Sequence, residues 1–234
     1  MPVLDVICLA NSYKRRGRCI AGIRTNERAW IRPHAHTDYG ELYPEHYTLN
    51  DGSEPQILDV VRINFESAEP QPHQPENWRI ANDDWRLISR PAPASLAGVL
   101  VSNLVEGPAL FGDTDRRIHV RSFDANPARA SLALIVPSQL QWSVERSLYN
   151  PKQPRACFRL GGASYNLPVT DPRYVRLLSQ LDCGRHEVTA CGLKQDQHVL
   201  LVISLGEVFP TEDGYCYKPH LSNFIFRHHD VVLG

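Results

Sequence analysis

The sequence predicts a mainly β protein of sandwich or small-barrel type. Two observations carry this. Apolar, β-branched runs of strand length recur along the whole chain, and 18 Pro and 14 Gly among 234 residues cut it into short pieces at the ends of those runs. A third observation sets the organisation. Arg90-Pro91-Ala92-Pro93-Ala94 is stiff and offers few side chains to pack, so it reads as a linker dividing a domain over 1–92 from one over 93–234.

Taken in order, strands are expected at Val3–Leu9, Cys19–Ile23 and Ile57–Phe65, with turns at Lys14–Arg18 and at Asn50-Asp51-Gly52. A helix from Ser95 to about Leu104 follows from the stripe Leu96, Val99, Leu100, Leu104, weakened by Gly98. Further strands are expected at Arg117–Phe123, Ser131–Val136, Leu140–Val144, Ala156–Leu160 and His198–Leu205, then at Tyr215–Tyr217 and Phe224–Phe226. Gly161-Gly162 reads as a hairpin turn, and Glu207 beside Gly206 as a strand end. Thr170-Asp171-Pro172 signals a helix start: a capping residue, then Pro in the first turn. Val175, Leu178 and Leu181 share one face of that helix, and Gly184 is its expected stop.

Composition narrows the function. No apolar run approaches the ~20 residues of a membrane-spanning helix, and Met1–Ala10 carries Asp5 and no basic stretch of a signal peptide. A cytoplasmic chain with no membrane partner is the expectation. Its six cysteines form no C-x-x-C pair, so they read as reduced structural thiols. Formal net charge is -1, and 21 of the 25 basic residues are Arg. Binding of nucleic acid rests on concentrated positive charge, so here it requires a local patch. Walker, G-x-G-x-x-G, G-x-S-x-G, H-E-x-x-H and zinc-deaminase signatures are all missing. No catalytic motif is recognisable, and neither a cofactor nor a metal is called for.

The patch is at Lys14-Arg15-Arg16-Gly17-Arg18, a basic turn between two strands, with Asn11 and Ser12 upstream to hold phosphate oxygens. Tyr13, Trp30 and Trp78 are the aromatic platform on which bases would stack, with Arg32 serving both tasks. Against this stands the plain reading of a solvated β-turn. His73, Glu76 and Asn77 form a candidate polar site in His73-Gln74-Pro75-Glu76-Asn77-Trp78, where the structural alternative is a rigid loop anchored by Trp78. His34 and His36 would share a strand face, yet no third ligand accompanies them at a suitable spacing.

Several blocks carry a family likeness: Ile7-Cys8-Leu9-Ala10-Asn11-Ser12, Arg18-Cys19-Ile20-Ala21-Gly22, Trp30-Ile31-Arg32-Pro33, Leu58-Asp59-Val60-Val61, His73–Trp78, Ser204-Leu205-Gly206-Glu207 and Gly214-Tyr215-Cys216-Tyr217-Lys218. Together these resemble the bacterial dual OB-containing domain family over nearly the whole chain. The likeness implies two tandem OB-like barrels with one or two short helices. By analogy with other OB folds it also implies a nucleic-acid ligand, and it implies no particular reaction. His34-Ala35-His36 departs from that pattern. The expectation is therefore a protein that binds single-stranded or structured RNA or DNA. Its rivals are an enzyme on nucleotides or nucleic acid with a carboxylate/His site between lobes, and an adaptor for a protein partner.

Overall fold

In a computed structural model, the structure describes residues 1–115, 117–123, 127–146, 152–194, 199–211 and 214–226. The chain is mostly β and forms two compact units. The first takes Met1–Asn103 and returns for Ala128–Ser131, and the second takes Leu104–Pro127 and Leu132–Arg227. Residues 93–103, which the sequence groups with the C-terminal lobe, lie in the first unit. No helix among the described residues is long and apolar enough to cross a membrane.

The first unit is a closed barrel. Its strands are β1 (Val3–Lys14), β2 (Gly17–Arg24), β3 (Trp30–His34), β4 (Val60–Ala68) and β5 (Asn77–Ile80). They run in the order β1-β2-β3-β5-β4, with β4 pairing back to β1 and β6 (Arg86–Ser89) added alongside β4. All these pairings are antiparallel except β3 with β5. Val6, Cys8, Ile20, Ile31, Leu42, Phe65 and Trp85 fill the interior. The short helix α1 (Pro44–Tyr47) lies between β3 and β4. The stripe expected as one helix over 95–104 forms as a 3-10 turn (Pro93–Leu96) running into α2 (Ala97–Ser102).

The second unit has two four-stranded sheets. One is ordered β11-β10-β9-β12 and the other β7-β14-β13-β8. The strands are β7 (Ile118–His119), β8 (Leu132–Ile135), β9 (Ser138–Glu145), β10 (Gln153–Leu160), β11 (Ala163–Pro168), β12 (Gly184–His186), β13 (Val199–Thr211) and β14 (Gly214–Phe226). Isolated parallel bridges join Val169 to Leu221 and Leu104 to Leu134 in this unit. The helix α3 (Pro172–Leu178) starts as its sequence dictates, with the Asp171 carboxylate accepting from the N–H groups of Arg173 and Tyr174. Its Tyr174 ring packs 5.2 Å from Trp142 in the core. The β10–β11 turn needs its glycines: Gly161 and Gly162 have φ of 52° and 92°, and a Cβ on Gly161 would lie 2.8 Å from the Pro108 nitrogen.

Three local expectations change. Arg117–Phe123 is strand only at Ile118–His119 and then turns as a 3-10 helix, Val120–Phe123. Gly184 opens a strand well after α3 has ended at Leu178. Glu207 lies inside β13, at a break in register between Leu205 and Val208, and not at a strand end. The six cysteines are all free.

Candidate nucleic-acid interface

The basic turn is the tip of the β1–β2 hairpin. Tyr13 pairs with Arg18 and Lys14 with Gly17, so Arg15 and Arg16 alone make the turn. Arg15 takes φ of 53°, a left-handed conformation more often given to Gly, Asn or Asp in such turns. The side chain kept at that cost lies flat on an aromatic ring: its guanidinium carbon is 3.3 Å from the centroid of Tyr39. Arg18 lies 4.7 Å from the Tyr13 ring. Tyr13 and Tyr39 are 44% and 43% exposed, and Arg16 is exposed at the turn.

Two features bring Tyr39 to the hairpin. Gly17 allows close approach, since a Cβ there would fall 2.5 Å from the Leu42 carbonyl oxygen, and Arg18 and Leu42 exchange backbone hydrogen bonds of 2.7 and 2.9 Å. The buried Glu41 carboxylate then ties the 37–43 loop together. It accepts from the Thr37 hydroxyl (2.9 Å), the Tyr39 N–H (3.1 Å) and the Tyr43 hydroxyl (3.2 Å). Burial pushes this carboxyl up, but the hydrogen bonds outweigh burial and hold it below the ordinary carboxylate range. Tyr39 is the residue sequence reasoning missed. The loop that carries it turns at Gly40, with φ of 68°, and no periodicity in the sequence points to it.

The other expected contacts are distributed differently. Asn11 and Arg18 both donate to Glu54, at 3.0 and 2.8 Å, so the Arg18 charge is answered within the barrel. Ser12 is fully buried, its hydroxyl directed at the Cys19 carbonyl. Arg32 is 3% exposed and reaches no solvent groove. It donates to Glu76 (3.2 and 3.3 Å), to the Ser131 hydroxyl (2.6 Å) and to the Cys19 sulfur (3.0 Å). Ser131 in turn donates to Glu76 through both its hydroxyl and its N–H. The reason is strand alternation: Ile31 points into the barrel and Arg32 to the opposite face, where Ser131 meets it. Glu76 is thus half of a buried ion pair. Asn77 is buried beside it, donating to Gln74 at 3.1 Å, and His73 is half-buried in the same loop.

The tryptophans lie elsewhere on the barrel. Trp30 pairs with Ile23, five residues beyond Arg18 and so about 16 Å along β2. Trp78 is half-buried, its ring edge-on to Phe65 at 5.7 Å and 5.6 Å from the Arg24 guanidinium. Both indoles belong to the end of β2 away from the turn.

Beyond the turn, His34 Nε2 is 3.3 Å from Glu69, which Arg79 grips with bonds of 2.6 and 2.7 Å while also contacting His36. The Arg79 hydrogen bonds hold the Glu69 carboxyl below its usual range. Burial lowers the His34 imidazole, and Arg79 and Lys14 act in the same direction. Among the described residues, no group of three or more His, Cys, Asp or Glu side chains is placed to hold a metal ion.

No curated protein matches the chain. One solved structure, of a murine DNA-binding protein bound with ds DNA, aligns over 97% of this chain and 98% of that one at 8% identity. Its TM-score is 0.33, too slight a likeness to bear on fold or ligand. The family model described as a dual OB-containing domain matches residues 4–220. With a closed five-strand barrel in one unit, the chain belongs to the dual OB-containing domain family.

Proposed function

We propose that the first unit binds single-stranded or structured nucleic acid at the tip of the β1–β2 hairpin. The observation that carries this reading is the pair of exposed tyrosines, Tyr13 and Tyr39, each with an arginine on its ring. A base that stacks on tyrosine gains roughly 1–3 kcal/mol, and every base has a face to stack. Arg15 keeps its N–H edges for phosphate while its plane covers Tyr39, with Lys14 at the end of β1 on one side of it and Arg16 in the turn on the other. OB barrels commonly take oligonucleotides across their strands and loops. With the chain near neutrality, this turn supplies the local positive charge that such binding requires.

The test is fluorescence anisotropy with labelled single strands and duplexes of RNA and DNA, titrated at several salt concentrations. The wild-type chain is expected to bind single strands with a clear salt slope. Replacing Lys14, Arg15 and Arg16 together by Ala should lower that slope by about 2, at ~0.7 per phosphate contact on a single strand, with the melting temperature held. A wild-type chain that binds neither RNA nor DNA at low salt overturns the proposal.

A further inference from the structure

A cavity of about 310 Å³ opens on the first barrel where the end of β3, α1, β5 and the 82–84 bend meet, a size at the small end of ligand sites. Its floor is apolar: Ala35, Ile80 and Ala81 are all buried. The wall presents donors. The Tyr43 N–H donates to His46 Nδ1 at 2.9 Å, so the neutral ring carries its proton on Nε2, and Asn82 adds an amide. Acceptors come from Glu45, Glu66, Asp83 and Asp84. Arg79 also lines the cavity, but its charge is matched by Glu69.

This combination selects by charge. Four carboxylates repel a phosphate, whereas a neutral ring rich in donors finds partners on every side and an apolar surface beneath it. Guanine fits best among the bases. Its N1–H and N2 amine lie side by side and match one carboxylate bidentately, and its O6 and N7 accept from groups such as His46 Nε2 and the Asn82 amide. Adenine and cytosine offer one amine, and thymine one ring N–H. The place is also right for a strand on the hairpin. His36, on the cavity wall, is three residues from Tyr39, so their Cα atoms are at most about 11 Å apart.

We propose that this cavity receives a guanine base extruded from the strand that the hairpin holds, an inference that rests on the nucleic-acid reading of that hairpin. The phosphates stay at Lys14–Arg16, and the base turns away from them into the acid-lined pocket, as base-reading pockets require.

The experiment compares a thymine oligonucleotide with the same strand carrying one central guanine, and with inosine at that position. Inosine keeps O6 and N7 but lacks the N2 amine. The wild-type chain should bind the guanine strand about tenfold more tightly than the thymine strand, with inosine losing most of the gain. The variant Glu66→Gln/Asp84→Asn, at two exposed positions, should lose the preference and keep its affinity for the thymine strand. Equal affinity of the wild-type chain for all three strands overturns this proposal and leaves the hairpin reading standing. That is the result expected if the pocket instead takes a cationic protein side chain. A preference that survives both substitutions also overturns it. Absence of binding to every strand overturns both readings together.

Discussion

Arg15 and Arg32 belong to the same barrel and face opposite circumstances. Arg15 stands in water across the face of Tyr39, at a backbone angle that disfavours it. Arg32 is almost wholly enclosed, held by Glu76, Ser131 and Cys19. A buried guanidinium is tolerable only with its partners in place, so Arg32 is committed to the fold. An exposed guanidinium on a tyrosine adds little to stability and remains available to a ligand. Arg15 and Arg32 therefore do not share one site, and the contrast can be tested from either side.

The largest effect lies at the buried pair. Glu76→Ala leaves Arg32 enclosed without its counter-charge, and denaturant unfolding should show a loss of about 3–5 kcal/mol. The double replacement Arg32→Met/Glu76→Leu should recover most of it, and oligonucleotide affinity of the folded protein should be unchanged. Next comes Tyr39→Leu, which should weaken single-strand binding by roughly 1–3 kcal/mol in anisotropy titrations while stability moves by less than about 0.5 kcal/mol. If instead Tyr39→Leu unfolds the barrel and Glu76→Ala abolishes binding in folded protein, the contrast is inverted.

Smaller effects sharpen it. Arg15→Gly relieves the left-handed strain, so calorimetry should show the melting temperature held or raised, by up to about 1 kcal/mol in stability, while affinity for single strands falls. The last is a pH effect at His34, beside Glu69 and near Lys14. Its folded value lies below the unfolded one of about 6.5, so just below that pH the native state binds fewer protons than the unfolded chain. The stability it contributes is complete above pH about 6.5 and is lost as pH falls through the folded value. His34→Gln should flatten the stability profile on that side of neutrality, in a region above the Glu69 titration.

Much of the fold is legible in local chemistry. The β1–β2 hairpin announces itself as Val- and Ile-bearing runs around Lys14–Arg18, the β10–β11 hairpin as the Gly161-Gly162 turn after the apolar run Ala156–Leu160, and α3 as Thr170-Asp171-Pro172. The site is legible only in part. Its cations are contiguous in sequence, so the turn is evident. Tyr39 reaches Arg15 through a loop shaped by Glu41 and by the close approach at Gly17, neither of which has a periodicity to read. Arg32 looks available because alternation about Ile31 turns it outward. What covers that face is Ser131, a residue far down the chain that no local pattern connects to it. The tryptophans mislead for a related reason: proximity in sequence to Arg18 becomes separation along a straight strand.

The return of residues 128–131 to the first barrel bears on how the protein is made. A ribosome delivers the five strands of that barrel and β6, Arg32 and Glu76 included, before it has translated the serine that completes their hydrogen bonding. By the time Ser131 emerges, the opening stretch of the second unit, Leu104–Pro127, has already left the exit tunnel. The first barrel is thus finished late, and a gene truncated after codon 103 encodes it without that clasp. An expression fragment meant to yield the first barrel alone needs residues 128–131 joined back to it.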